Sequence, residues 1–457
     1  MQKLNCFKAY DIRGEIGVNL DEDIAYRIGK AMAIYLSARI VIVGGDCRLS
    51  TTSLKDALIE GLRDGHCNVI DIGLCGTEEI YFATTYLEAD GGVMITASHN
   101  PKNFNGMKLV REKSKPISGD TGLFEIQKLA ETMLHSSDND KGTLEYLTTE
   151  MAYVEHLLSY IEPSKLTPLK FVVNAGNGVA GHIIDAIEKQ FLKREIPVSF
   201  VKLNNQPDGE FPHGVPNPLL VENRSHTRDA VLFHQADMGI AWDGDFDRCF
   251  FFDEKGNFIE GYYIVGLLAE MFLQRNSAEK IIHDPRLTWN TVDVTSKNGG
   301  IAIESKTGHA FIKERMRKEN AVYGGEMSAH HYFRDFSYCD SGMIPWLLVM
   351  QLLCEKNLSL SSLVGGAIDK FPSSGEINRK VADPDSIIQS IKNNFSQTAK
   401  VTQNIDGLSM AFDDWRFNLR KSNTEALLRL NVETRQDPSL LKRKVASLLS
   451  IIDTNAN

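Results

Sequence analysis

The densest chemistry in the chain is DGDFDR at 243–248, which sets carboxylates at Asp243, Asp245 and Asp247 beside the guanidinium of Arg248. The run follows MGIAW, so the three carboxylates alternate just past an apolar strand and can converge on one hard cation from a loop. Mg2+ suits such a set, because it takes a few carboxylates and fills its octahedron with phosphate oxygens or water. An EF-hand is a competing reading, with Asp at positions 1, 3 and 5 and Glu254 at 12. It fails because Arg248 stands where that loop needs glycine and CFFF at 249–252 reads as a buried strand. A solvated acidic turn is the remaining alternative, awkwardly placed between two apolar strands.

Two further runs can bind or transfer a phosphoryl group, and a third suits sugar hydroxyls. TASHNP at 96–101 places Ser98 in a tight loop after GGVMIT, at the carboxyl end of a strand, where parallel sheets bind ligands. The Ser98 hydroxyl can carry a phosphoryl group there, with His99 and Asn100 as hydrogen-bond donors; a plain serine turn is the alternative. RKSNTE at 420–425 packs Arg420, Ser422, Asn423 and Thr424 into one loop, with Arg429 beyond it. Such a loop can hold a phosphate dianion, or be a polar turn with an exposed basic pair. GGEMSAHH at 324–331 groups Glu326, Ser328 and His330 in a glycine-led loop suited to sugar hydroxyls, without the helical H-x-x-x-H spacing of a metal site. His309, in KTGH, is a further acid/base element, although a lone histidine is more often structural.

These loops need a scaffold, and the chain supplies one in four parts. At 457 residues it has room for about three domains of ordinary size. From the N-terminus, helical spacing in DEDIAYRIGKAMAIYL, the strand RIVIVGGD, a helix with Leu54, Leu58 and Leu62 on one face, and the strands NVIDIG and GGVMIT alternate as βαβ units do. The polar HSSDNDKGT at 135–143 reads as a linker. Two more alternating units follow, and from about residue 369 the pattern becomes strand, helix, three strands and a closing helix, which implies an antiparallel sheet. The fold class expected is α/β: three similar mixed units with mostly parallel sheets and a smaller C-terminal α+β domain, around a central cleft. The boundaries expected are 1–142, 143–253, 254–368 and 369–457.

Composition narrows the partners. With 50 Lys+Arg against 60 Asp+Glu the chain carries a net charge of −10, which argues against nucleic acid or a membrane surface as partner. Seven scattered cysteines without a C-x-x-C pair suggest reduced thiols in the cytoplasm. The N-terminus lacks the apolar stretch of a signal peptide, and the longest apolar run, MIPWLLVMQLLC at 343–354, is too short to span a bilayer and reads as a buried helix.

Taken together and in this order, YDIRG at 10–14, TASHNP, DGDFDR, GEMSAHH and RKSNTE resemble the signatures of the α-D-phosphohexomutase family over nearly the whole chain. GGDCRLS, GTEEIYFAT and KTGHAFIKERM look like its bacterial phosphomannomutase branch. The resemblance implies that Ser98 is a phosphoserine and that Asp243, Asp245 and Asp247 hold one Mg2+ per chain, with a phosphoserine oxygen completing the site. Glu326, Ser328 and His330 look like sugar contacts; Arg420, Ser422, Asn423 and Thr424, with Arg429, look like the phosphate clamp. Lys108, Arg248 and His309 match positions beside the reacting hydroxyl, with His309 and Lys108 as candidates for proton transfer. Tyr10 and Arg13 match residues near the site, and Arg286 stands where related bacterial mutases carry a substrate-contacting lysine. The expected activity interconverts mannose 6-phosphate and mannose 1-phosphate through a hexose 1,6-bisphosphate, which also serves as activator, and feeds GDP-mannose synthesis. Dual action on glucose phosphates and a non-catalytic sugar-phosphate binding protein are the alternatives. A small hexose phosphate is the expected partner, and the expected assembly is a monomer or homodimer.

Overall fold

The computed structural model describes residues 3–132, 140–421 and 427–454. The chain divides into two compact units: residues 1–258 with 330–359, and residues 259–329 with 360–457.

The first unit contains two mixed sheets. In the first, Ile40–Gly45 lies between Asn68–Leu74 and Gly91–Ile95, parallel to both, with Ile42 opposite Ile70 and Val43 opposite Val93. The central strand, IVIVGG, is an apolar run led by β-branched residues and buried from Val41 on, as a strand covered on both faces must be. The pattern then reverses, since Phe104–Arg111 runs antiparallel to Gly91–Ile95 and to Ile12–Glu15. On one face the helices Glu22–Leu36 and Thr51–Asp64 pack so closely that a Cβ at Gly61 would lie 1.9 Å from the Tyr26 carbonyl oxygen. Only glycine allows that approach. Leu144–Tyr146 adds a parallel strand to Asn68–Leu74, so chain past the expected boundary at 142 pairs with the first sheet, and residues 135–139 of the expected linker lie outside the described residues.

The second sheet sets Leu169–Asn174 parallel to both Val198–Leu203 and Met238–Trp242, and Met238–Trp242 antiparallel to Cys249–Phe252. DGDFDR is therefore the connection of a β-hairpin, which removes the EF-hand reading, since that motif needs two flanking helices. The apolar run at 343–354 forms the helix Ile344–Lys356, whose residues Ile344 through Leu353 are all buried. Among the described residues no single helix is long and apolar enough to cross a membrane.

The second unit contains the parallel strands Ile301–Glu304, Lys280–His283 and Tyr323–Gly325, with the helices Gly261–Arg275, Trp289–Lys297 and His309–Glu319. It also contains an antiparallel sheet in the order Ser373–Lys380, Leu427–Thr434, Trp415–Lys421, Leu408–Ala411, Val401–Gln403. The helices Pro384–Phe395 and Pro438–Thr454 accompany that sheet, and Ile387, Ile391, Leu448 and Ile452 join its core with Phe417, Leu419 and Leu430. Sequence periodicity anticipates four of these strands. It misses Val401–Gln403, an edge strand of three residues that are all exposed and so carry no alternation.

Buried charge fastens the antiparallel sheet to the loop after Lys280–His283. Arg416 donates through Nη1 to the Arg286 carbonyl at 3.0 Å and to Glu433 Oε1 at 2.9 Å, and through Nη2 to the Pro285 carbonyl at 2.8 Å. Glu433 also accepts from the Thr288 backbone N–H at 2.8 Å and from the Tyr262 hydroxyl. Every partner is hydrogen-bonded, the condition under which a buried ion pair is tolerated.

Candidate active site

Ser98 is presented by backbone geometry. Gly91–Ile95 is wholly buried, and the chain leaves it in a turn where Ser98 adopts a left-handed φ of +49°. A non-glycine residue keeps that conformation only where its surroundings over-determine it. Here the Ser98 N–H donates to Thr96 Oγ1 at 2.8 Å, and Gly244 of the acidic loop lies so close that a Cβ on it would meet the Ser98 carbonyl oxygen at 2.5 Å.

The acidic loop meets this turn across 145 positions of chain, the Ser98 hydroxyl donating to Asp243 Oδ2 at 2.7 Å. His99 Nδ1 faces the same hydroxyl at 2.9 Å. Arg248 donates to Asp243 Oδ2 through Nε at 2.8 Å and Nη2 at 2.6 Å, to His99 Nδ1, and reaches Ser98 Oγ at 3.4 Å. Lys108 projects from Phe104–Arg111 and donates to Asp245 Oδ2 at 2.7 Å and to Asp247 Oδ2. His330 Nε2 lies 3.5 Å from Asp247 Oδ1, so this histidine sits with the acidic loop. Arg13 anchors on Asp11 Oδ2 and Asn100 Oδ1, each at 2.9 Å. Tyr10 lies half-buried in the bend before Ile12–Glu15.

Electrostatics explain the arrangement. Burial, reinforced by the charges of Asp247 and Asp245, pushes the Asp243 carboxyl up to about 6 despite Arg248. Burial also opposes charge on Asp247, but Lys108, His330 and Arg248 outweigh it and hold that carboxyl well below the usual range. Lys108 likewise loses solvation, yet Asp245 and Asp247 keep it a cation. Burial and the neighbouring Arg248 keep His99 neutral, far below the ordinary imidazole range.

The residues fit a hard divalent ion. One carboxylate oxygen from each of Asp243, Asp245 and Asp247 can be chosen so that all lie within 4.8 Å of one another. Asp243 Oδ1 and Asp245 Oδ1 are buried with no hydrogen-bond partner, a costly state that a cation would relieve. An all-oxygen set with no thiolate suits Mg2+.

A second constellation lies in the other unit. Arg286 donates to Asp284 Oδ2 at 2.7 Å, Ser328 Oγ at 3.2 Å and Glu326 Oε1 at 3.4 Å. Glu326 Oε1 also accepts from the Gly308 N–H at 3.1 Å, which ties it to the start of His309–Glu319 and so to His309. Arg420 Nη2 and Arg429 Nη1 each meet a Glu376 carboxylate oxygen at 3.1 Å, and Arg286 Nη1 lies 3.8 Å from Glu376 Oε2. Arg286 is already matched by Asp284 and Glu326, but Arg420 and Arg429 meet on the single carboxylate of Glu376, a local surplus of positive charge that suits a phosphate dianion. Ser422, Asn423 and Thr424 of the expected clamp lie outside the described residues.

Sequence profiles described as phosphoglucomutase/phosphomannomutase α/β/α domains I, II and III and C-terminal domain match residues 4–136, 151–256, 260–371 and 376–449. The chain belongs to the phosphoglucomutase/phosphomannomutase family. A curated relative from Escherichia coli, named phosphomannomutase, is 59% identical over 455 residues, covering 99% of this chain and 100% of that protein. One from Xanthomonas campestris pv. campestris (strain B100), named phosphohexose mutases, is 54% identical, covering 98% of this chain and 99% of its own length. A crystal structure of a phosphoglucomutase/phosphomannomutase family protein from Burkholderia thailandensis superposes with a TM-score of 0.86 at 31% identity, covering 100% of this chain and 99% of that one.

In this phosphoglucomutase/phosphomannomutase family member, reading the sequence overlooks three contributors: Thr77, Glu376 and Arg48. Thr77 opens the helix Thr77–Tyr86, donates through Oγ1 to Asp245 Oδ2 at 2.6 Å and accepts from Lys108 at 3.2 Å. Its backbone N–H also holds the Asp245 carbonyl at 3.1 Å. A threonine at a helix start is ordinary; its sequence signals are its place after the carboxyl end of Asn68–Leu74 and its standing in the GTEEIYFAT run. Because Thr77 orients a carboxylate of the metal set, Thr77→Val should weaken Mg2+ binding about 10-fold with the fold intact, and Thr77→Ser should restore it. Titration calorimetry with Mg2+ alone measures both.

Proposed function

We propose that this enzyme interconverts mannose 6-phosphate and mannose 1-phosphate. The observation that carries the reading is the Ser98 hydroxyl at 2.7 Å from Asp243, inside the three-aspartate loop. The name and 59% identity of the E. coli relative support mannose as the sugar.

In this reading Ser98 works as a phosphoserine. The free hydroxyl of the bound sugar phosphate attacks its phosphorus, the P–O bond to Ser98 breaks, and a hexose 1,6-bisphosphate forms. That intermediate turns around, Ser98 attacks the other phosphate, and the isomeric monophosphate leaves. Phosphoryl transfer of this kind is accelerated by positioning and by charge placed around the moving group. Arg248 reaches the Ser98 oxygen directly, and Lys108 brings a cation to the same loop. Asp243, Asp245 and Asp247 would hold Mg2+, which when bound supplies positive charge beside the phosphoserine oxygens. Glu326 and Ser328 receive sugar hydroxyls; Arg286, Arg420 and Arg429 hold the phosphate that is not transferred. His309, beside Glu326, is the proton acceptor for the attacking hydroxyl, while Lys108 is committed as a cation to two carboxylates. A hexose 1,6-bisphosphate primes Ser98.

A coupled assay with mannose 1-phosphate or glucose 1-phosphate, catalytic glucose 1,6-bisphosphate and Mg2+ tests this. Faster turnover of mannose 1-phosphate without release of inorganic phosphate is expected. Equal rates would make the enzyme a dual mutase, and one phosphate released per sugar would make it a phosphatase. Binding without turnover, and without phosphate on Ser98, would leave only a sugar-phosphate binding protein.

A further inference from the structure

GGDCRLS at 44–50 stands out in the sequence, and the chemistry above gives it no part. Its arginine, Arg48, lies between the end of Ile40–Gly45 and the start of Thr51–Asp64, and it is 3% exposed. It touches neither the acidic loop's carboxylates nor the Ser98 hydroxyl. Instead its guanidinium is turned toward the backbone of the serine turn. Nη2 donates to the Ser98 carbonyl at 2.9 Å and the Asn100 carbonyl at 2.6 Å, while Nη1 donates to the carbonyls of Pro101 at 2.8 Å and Phe104 at 2.9 Å. The fifth donor, Nε, faces Asp46 Oδ2 at 3.4 Å. Four hydrogen bonds from the planar fork thus go to carbonyls of the turn that carries Ser98, while the buried Nε sits in ion-pair range of Asp46 without a hydrogen bond of its own.

Asp46 completes the frame from behind. Its carboxylate accepts from the Arg48 N–H at 3.0 Å, from Thr51 Oγ1 at 2.7 Å and from Thr96 Oγ1 at 2.7 Å, and Thr96 Oγ1 in turn accepts from the Ser98 N–H at 2.8 Å. The peptide units on both sides of Ser98 are therefore fixed, one through Thr96 and one through Arg48. This is the local over-determination that a left-handed serine needs.

We propose that Arg48 is a positioning residue for phosphoryl transfer: by gathering the carbonyls of Ser98, Asn100, Pro101 and Phe104 it fixes the Ser98 oxygen against Asp243 and Arg248. The proposal rests on the reading of Ser98 as the phosphoryl carrier. Lysine cannot substitute, because three donors on one point cannot reach four separated carbonyls. A misplacement of the reacting atom by about 1 Å costs about 100-fold in rate while leaving substrate contacts elsewhere unchanged.

The test compares the unsubstituted chain with Arg48→Lys and Arg48→Ala, each with Mg2+. Arg48→Lys keeps a cation beside Asp46 and is the variant expected to fold, checked by circular dichroism and cooperative thermal unfolding. It should lose about 100-fold in kcat for mannose 1-phosphate, with KM held within about 3-fold. The rate at which glucose 1,6-bisphosphate phosphorylates Ser98, read by intact mass in a quenched time course, should fall in parallel. In folded Arg48→Ala, low millimolar guanidinium should recover about 10-fold of the lost rate and leave the unsubstituted chain unaffected, because the small cation re-forms part of the fork. Arg48→Lys acting at the parent rate, or phosphorylated at the parent rate, overturns the proposal. So does a loss in which KM rises as much as kcat falls, or one that guanidinium fails to rescue in folded Arg48→Ala. If Arg48→Ala does not fold, Arg48→Lys decides alone. An unsubstituted chain that never gains phosphate on Ser98 overturns the phosphoserine reading, and the role of Arg48 with it; a phosphorylated parent beside an unimpaired Arg48→Lys overturns the role of Arg48 alone.

Discussion

Ser98→Ala should abolish mutase turnover, by about 10⁴-fold or more, while the protein stays folded. The hydroxyl is the only group removed, and alanine meets the same backbone contacts: the Ser98 N–H still donates to Thr96 and its carbonyl still accepts from Arg48. Removing it frees Asp243 and Arg248 of one neighbour, so the acidic loop keeps its own bonds. Two measurements check the expectation. The coupled assay should fall to background, and incubation with glucose 1,6-bisphosphate should add phosphate to the parent chain but not to the variant. Near-normal turnover in Ser98→Ala would remove the phosphoenzyme step from the mechanism, whatever the sugar.

The other large effect expected is on metal removal. A chelator should silence the enzyme, and Mg2+ should restore it. A binding readout separates the ion's site from its role in the chemistry. Mg2+ at about 100 times its dissociation constant should stabilise the native protein by about 2.7 kcal/mol, seen as a rise in thermal midpoint. Asp245→Asn should erase that rise, because it takes a charged oxygen from the set and breaks the contacts with Lys108 and Thr77. The pH dependence follows from Asp243. Its carboxyl is pushed up to about 6 by burial and by its acidic neighbours, so below that pH it binds a proton that a cation must displace. Mg2+ affinity should therefore fall as pH drops from about 7 to about 5. An unchanged thermal midpoint in the parent would mean that the native protein does not bind Mg2+, and a rise that survives Asp245→Asn would place the ion elsewhere.

Much of this site is legible in short runs. Three alternating aspartates after an apolar strand can be read as a cation loop against the alternative of a solvated turn, and a serine in a small-residue turn at a strand's carboxyl end as a place for a bound group against that of a plain turn. The runs are readable because each is local: residues two apart stay neighbours in any extended loop. The α/β alternation is readable for the same reason, and Ile344–Lys356 declares its burial by its composition. Some pieces left no trace. Leu144–Tyr146 and Val401–Gln403 are three-residue strands at sheet edges, partly or wholly exposed, too short to show a period of two. Ile12–Glu15 and Phe104–Arg111 pair antiparallel across about ninety residues of chain, a pairing fixed by the sheet as a whole.

The partners of each chemical group are a different matter. Nothing near Arg48 in the chain says that it gathers four carbonyls some fifty positions away, nor does anything near Thr77 point to an aspartate 168 residues on. Glu376, in an unremarkable strand, shows no sign that three arginines share it. Residue types and spacing determined which groups this protein brings to its chemistry: a serine, three aspartates, and arginines enough for a phosphate. The tertiary structure alone decided which of them meet, which stay charged and which are held still, because burial, hydrogen-bond geometry and the shift of an ionisation depend on neighbours that only folding supplies.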